Sequence, residues 1–134
     1  MFITKELIKI FTDWTKLKIR VHTKEEEIYF KEGQIWWINF GQNIGVEING
    51  KGENFERPGL IFKKFSGDSI WVLPISSQIK TGDYYHHFLD AQGKQNTVSL
   101  SQLRLVSSKR LIRNIGWMDE EDFTEIRQKI KKLV

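Results

Sequence analysis

The chain has 134 residues, of which 40% are hydrophobic and 28% charged, with a formal net charge of +4. That length and balance fit one globular domain with a core of its own. No apolar run approaches the roughly 20 residues that cross a bilayer. The absence of cysteine excludes disulfides and thiolate metal sites. With no signal-peptide pattern in Met-Phe-Ile-Thr-Lys-Glu, a cytoplasmic location and no membrane partner are expected. The positive balance is compatible with a polyanionic partner, and equally with an ordinary, mildly basic protein.

From Thr4 to about Leu17 the chain reads as a helix. Thr4 is placed to cap it, Glu6 sits in its first turn, and Leu7, Ile8, Phe11 and Trp14 recur at helical spacing. Such a stripe seeks a core more often than a partner. Residues 1–27 are therefore expected to form a helical extension, and 28–134 the main domain. From Ile28 onward the pattern changes to short β-branched and aromatic runs at 34–40, 58–65, 69–75, 84–89 and 97–100. Gly41-Gln-Asn, Asn49-Gly-Lys-Gly, Ser66-Gly-Asp and Gln92-Gly-Lys divide them. Closely spaced short strands of this kind predict a compact sandwich or small barrel. A short basic helix is expected over 107–113. A stronger one is expected over 119–133, with Asp119 as cap, acids in its first turn, lysines in its last, and Phe123, Ile126, Ile130 and Leu133 as its apolar stripe.

Two segments stand out for chemistry. Gly33-Gln-Ile-Trp-Trp-Ile-Asn-Phe-Gly41 is an aromatic strand bounded by glycines. Glu56-Arg-Pro-Gly-Leu-Ile-Phe62 sets an arginine directly before a proline. The proline fixes its own φ and pushes Arg57 toward extended backbone, so the guanidinium is carried on a stiff support. Glu47 and Ser76 are expected near it, an arrangement suited to a phosphodiester. Ser76 lies at a strand end in Pro74-Ile-Ser-Ser-Gln78, as a phosphate contact or an ordinary turn serine. No triad, phosphate loop or dinucleotide fingerprint accompanies it. His86 and His87 are adjacent, so in a strand they point to opposite faces and cannot chelate one ion together. They read as exposed or edge-strand histidines, with one of them available to a cleft. Gln102 and Arg104 share a face by alternation, toward nucleotides or toward solvent.

These residues carry a resemblance. Gly33-Gln-Ile-Trp36, Gly45-Val-Glu47, Arg57-Pro-Gly-Leu-Ile61, Pro74-Ile-Ser76 and Ser101-Gln-Leu-Arg-Leu-Val-Ser-Ser-Lys-Arg-Leu111 follow, in order, the motifs of the PemK/MazF toxins of type II toxin–antitoxin systems. The resemblance runs from about Gly33 to the C-terminus. It implies a mostly β fold, an SH3-like small β-barrel with a C-terminal α-helix, to which the N-terminal helix is an addition. It also implies a homodimeric, sequence-specific endoribonuclease that cleaves single-stranded RNA by 2′-OH attack, without metal or cofactor, and a cognate antitoxin whose disordered segment folds on docking. Arg57 matches the family's catalytic arginine, Ser76 its catalytic threonine, and Glu47 its loop glutamate, as a base or as a partner of Arg57. Lys51, Gln78, Lys80, His86, Gln102 and Arg104 are the expected RNA contacts.

The chain also departs from the family. The loop 48–56 is longer than usual and carries Lys51 and Phe55. Ser99 and Ser101 stand where some relatives carry an arginine and an aspartate, and Ser107 replaces the usual aspartate. Two other readings remain open at this point: a nucleic-acid-binding barrel that does not cut, and a gyrase-binding toxin resembling the CcdB group.

Overall fold

A computed structural model describes residues 1–134. The N-terminal helix α1 (Lys5–His22) is capped by Thr4, whose hydroxyl accepts from the Leu7 N–H at 3.1 Å. It runs past Leu17 because Trp14, Leu17 and Val21 continue one stripe toward the body of the protein, with Trp14 and Val21 buried. The preceding turns leave Ile3, Ile8, Ile10 and Phe11 exposed. Residues 1–24 hold six basic and two acidic side chains, whereas 25–134 hold fifteen of each sign. The whole formal charge therefore resides in α1 and the two residues that follow it.

Seven strands follow: β1 (Gln34–Asn39), β2 (Glu56–Lys64), β3 (Ser69–Ser76), β4 (Tyr85–Leu89), β5 (Gln95–Ser99), β6 (Arg104–Ser107) and β7 (Leu111–Trp117). All pairs are antiparallel, in the order β4-β5-β3-β2-β1-β7, with β6 also on β3. Strand β3 makes the curl. Ser69–Val72 pairs with β6, while Ile75 and Ser76 pair with β5. The fold is the expected small barrel with a helix at each end of the chain.

Strand β2 starts at Glu56, so Arg57 lies inside the ladder opposite Ile38. Pro58 is tolerated there because pairing with β3 begins only at Gly59. The basic helix expected over 107–113 is absent. Only Ser108–Arg110 makes one 3₁₀ turn, and Leu111–Trp117 is a strand. Pairing with the otherwise open edge of β1 outweighs local helix propensity. Strand β6 was not expected either: four residues with Leu105 exposed and Val106 buried carry too short a pattern.

Neighbouring apolar residues on β2 and β3 point to opposite faces and build two cores. Ile61 and Val72 join Ile38, Phe40 and Leu111 inside the barrel. Leu60 and Leu73 join Val98, Phe123 and Ile126 on the other side, under α2 (Glu120–Leu133). Asp119 caps α2, as its position predicts, accepting from the Asp122 N–H.

Candidate active site

The segment between β1 and β2 is held almost residue by residue. Gly41, with φ of +86°, donates to the Phe55 carbonyl at 3.0 Å and accepts from the Gly50 N–H at 2.8 Å. Lys51 and Glu56 exchange backbone bonds of 2.8 and 3.0 Å, which closes a small hairpin at the base of β2. Asn43 donates its amide to the carbonyls of Phe40 and Ile48 at 3.0 and 2.8 Å, and its N–H reaches Asn49 Oδ1. The added loop length is thus an ordered structure. Lys51 is exposed on it.

Arg57 is half-buried beneath this loop. Its Nε donates to the Asn49 carbonyl at 2.9 Å and Nη1 to the Ile75 carbonyl at 3.4 Å. Burial pulls its guanidinium below the usual arginine range, while an arginine stays charged at neutral pH. The β2–β3 ladder ends at Gly59 and Pro74, and beyond it Ser76 pairs with Thr97 of β5. The Ser76 hydroxyl accepts from the Gln78 N–H at 3.1 Å. This is the turn geometry serine favours, and it leaves the O–H free to donate outward. Arg57 is thus tied to β3 through the carbonyl of Ile75, the residue before Ser76, where β3 leaves β2 and pairs with β5. Gln78 and Lys80 lie exposed just beyond Ser76, with the Lys80 carbonyl accepting from His87 Nε2.

Gln102 and Arg104 face the same loop from below, although Gln102 sits in a 3₁₀ turn and only Arg104 in a strand. Gln102 accepts from the Ile48 N–H at 3.0 Å and donates to the Val46 carbonyl at 2.9 Å. Arg104 donates to the Phe40 carbonyl at 3.3 Å. Both polar atoms of Gln102 hold the loop, and Arg104 holds its first residue through Nη1. Glu47 makes no ion pair with Arg57. One of its oxygens accepts from the Ile44 N–H at 2.9 Å, and its charge acts on Arg104, where it partly offsets the lowering caused by burial. Glu47, Gln102 and Arg104 line a cavity of about 300 Å³ together with Asn43.

Arg110 completes the cluster and was not singled out from sequence, although it lies within the motif ending at Leu111. Its Nη1 donates to the carbonyls of Asn39 and Phe40, at 2.9 and 3.4 Å. Burial, and then the charge of Arg104, push its guanidinium down to about 10. Arg113 has a carboxylate partner in Glu56, at 3.4 Å, whereas Arg57, Arg104 and Arg110 have none within 4 Å. Three guanidiniums hung on carbonyl oxygens, with Glu47 alone opposing them, make a field suited to a phosphodiester.

The sequence profile of the PemK-like, MazF-like toxins of type II toxin–antitoxin systems matches residues 31–134. The chain belongs to this family. A search of curated proteins found no match. Among solved structures, MazF from Deinococcus radiodurans is 20% identical, with a TM-score of 0.65 over 79% of this chain and 97% of that one. An endoribonuclease from a mycobacterial species is 10% identical, with a TM-score of 0.60 over 81% and 93%. A mycobacterial endoribonuclease in complex with its cognate antitoxin is also 10% identical, with a TM-score of 0.58 over 78% and 93%. At these identities the likeness concerns the fold.

One expected contact of this family member is placed elsewhere. His86 is only 2% exposed, on β4 beneath α2. Its Nε2 lies 2.8 Å from Asp122 and its Nδ1 3.0 Å from Lys129 Nζ. With the ammonium donating to Nδ1, the proton sits on Nε2 and donates to Asp122. The ring is buried because alternation points it at the helix, whereas His87 points outward. Asp122 and Glu125 also approach His86, the latter at 3.6 Å. They do so at different ring nitrogens, and the Lys129 ammonium occupies Nδ1. That arrangement is a tie between sheet and helix and does not fit a cation.

Proposed function

We propose that this toxin is an endoribonuclease that cleaves single-stranded RNA at short sequences, using the RNA's own 2′-OH as nucleophile. The observation that carries this reading is Arg57, half-buried and without a carboxylate partner, with its guanidinium held on the carbonyl of Ile75, the residue before Ser76. In the step, the 2′-oxygen bonds to phosphorus and the bond to the 5′-oxygen breaks. The departing 5′-oxygen takes a proton from water, so a 2′,3′-cyclic phosphate and a 5′-hydroxyl result. The nucleophile comes with the substrate, so the reaction requires neither a metal nor a covalent enzyme intermediate.

Arg57 Nη2 makes no hydrogen bond within the chain, and in this reading it meets a non-bridging oxygen as charge builds there. The Ser76 O–H donates to the other oxygen. Glu47 is the proposed acceptor of the 2′-OH proton, through the oxygen not held by Ile44. Lys51, Gln78 and Lys80 are proposed as direct RNA contacts. Gln102 and Arg104 act through the loop they hold, and His86 has no RNA contact.

The same reading gives the toxin a homodimeric state and a cognate antitoxin, in a cytoplasmic setting. Support for the antitoxin comes from the relatives solved with theirs, MazE with MazF in one case. Support for the dimer comes from exposed Leu89, Ile115 and Trp117 around one cavity of about 600 Å³. No helix is long and apolar enough to cross a membrane. Residues 1–27 are proposed as an extension and 28–134 as the catalytic domain.

The test is incubation with a long mixed-sequence RNA in EDTA, with the product ends mapped. Cuts at a short motif that leave cyclic phosphate establish the nuclease. Intact RNA recovered bound, with affinity falling steeply in salt, replaces it with a binding module.

A further inference from the structure

The helix α1 lies outside the stretch matched by the family, yet its one buried aromatic side chain meets the loop that carries the candidate site. Trp14 is 6% exposed. Its indole covers Gly41 so closely that a Cβ on residue 41 would fall 2.4 Å from the ring. Gly41 is the hub described above, bonded through its N–H to Phe55 and through its carbonyl to Gly50. The Trp14 and Phe55 rings have centroids 5.6 Å apart. Phe55 is also the one non-glycine residue with positive φ, +46°, a geometry that persists where the surroundings hold it. The Arg110 guanidinium lies over the other part of the cluster, 5.6 Å from the Trp14 ring.

These contacts bracket Arg57. Asn49, whose carbonyl fixes Arg57 Nε, directly precedes Gly50, and Phe55 stands two residues before Arg57. A tryptophan that merely docked a helix would press into the barrel core. Trp14 instead packs on Gly41, on Phe55 and under Arg110, all of which belong to the site.

We propose that Trp14 is a positioning residue: α1 wedges its indole against Gly41 and Phe55 and thereby fixes the Asn49 carbonyl that orients the Arg57 guanidinium. The helical extension is on this account a working part of the catalytic site. In its catalytic half, the inference rests on the nuclease reading given above. Its structural half does not, since the orientation of Arg57 is measurable without RNA.

The experiment compares the full-length protein with Trp14→Ala, Trp14→Phe and Phe55→Ala, at a temperature where all give the same far-ultraviolet circular dichroism. Hydrogen exchange of the Arg57 Nε–H, followed by nitrogen-15 NMR, reports the bond to Asn49. Single-turnover cleavage at saturating RNA reports the chemical step, and RNA affinity is measured alongside. The expected result is a loss of Nε–H protection in Trp14→Ala and Phe55→Ala, with recovery in Trp14→Phe. The single-turnover rate should fall about tenfold to a hundredfold, the scale set by ångström misplacement, while affinity stays within about threefold. Protection equal to the parent protein's in Trp14→Ala overturns the proposal. Lost protection with an unchanged rate overturns its catalytic half. Should Trp14→Ala not fold, Phe55→Ala decides, because it opens the same contact and leaves α1 intact. Should the parent protein cut no RNA, the nuclease reading fails, and the exchange measurement still decides whether Trp14 orients Arg57.

Discussion

Gln102 and Ile48 are joined side chain to backbone across the site. The Gln102 carbonyl oxygen accepts from the Ile48 N–H at 3.0 Å, while its amide nitrogen donates to Val46 at 2.9 Å. One glutamine amide thus satisfies both a donor and an acceptor of the loop that carries Glu47. Removing it leaves those groups to water, at a cost of about 1 kcal/mol each in stability. Gln102→Ala is expected to raise proteolysis within 44–50 and to slow cleavage, with RNA affinity nearly unchanged. A large loss of affinity with an unaltered proteolytic pattern would make Gln102 a direct RNA contact instead.

Arg57→Ala removes the donor proposed to meet the phosphate. The loss of one such preorganised donor is worth about 3 kcal/mol, or about a hundredfold in rate. Arg57 is only half-buried and belongs to neither apolar core, so the fold is expected to survive. Arg57→Lys is expected to recover little, because an ammonium cannot bond Asn49 and a phosphate oxygen in the same fork. Cleavage assays with matched thermal melts check both, and an Arg57→Ala protein that cuts at the parent rate would remove this residue from the mechanism.

Ser76→Ala deletes the hydroxyl that accepts from Gln78 and is proposed to donate to the phosphate. A fall of about tenfold or more in cleavage is expected from that lost hydrogen bond to a charged group. Ser76→Thr keeps the hydroxyl and restricts χ1, so activity at or above the parent level is expected. Quantifying both variants on one RNA separates the hydroxyl from its support. Equal activity in all three proteins would assign Ser76 to the turn alone.

His86→Ala is expected to behave in the opposite way. It removes a buried ring and its two hydrogen bonds to α2, at a cost of about 2 kcal/mol or more. RNA affinity should not change, because the ring lies under the helix. A thermal melt beside a binding isotherm checks this, and weakened binding at unchanged stability would return His86 to the interface.

The sequence made some of this legible and left the rest to tertiary structure. The helices at both ends were readable because Thr4 and Asp119 are strong caps and each apolar stripe is long. Arg57 and Ser76 could be placed because a proline stiffens one and a strand end presents the other. That the charge of Glu47 acts on Arg104 could not be read, since Arg104 is fifty-seven residues away in the chain and reaches the loop only through the β3–β6 ladder. His86 was misplaced because alternation says which residues share a face, but not which face a distant helix will cover. The strand at 111–117 was hidden by its own basic start, and only the open edge of β1 decides it.

The gathering of all excess charge in residues 1–24 gives the molecule a lasting polarity. In a field of several kT around a polyanion, such a body turns before it touches, with the helix leading and the balanced barrel trailing. Encounter would thus begin at the end of the protein where Trp14 reaches the loop. A truncation lacking residues 1–24 would be close to isoelectric at neutral pH, and would approach its partner with no preferred heading.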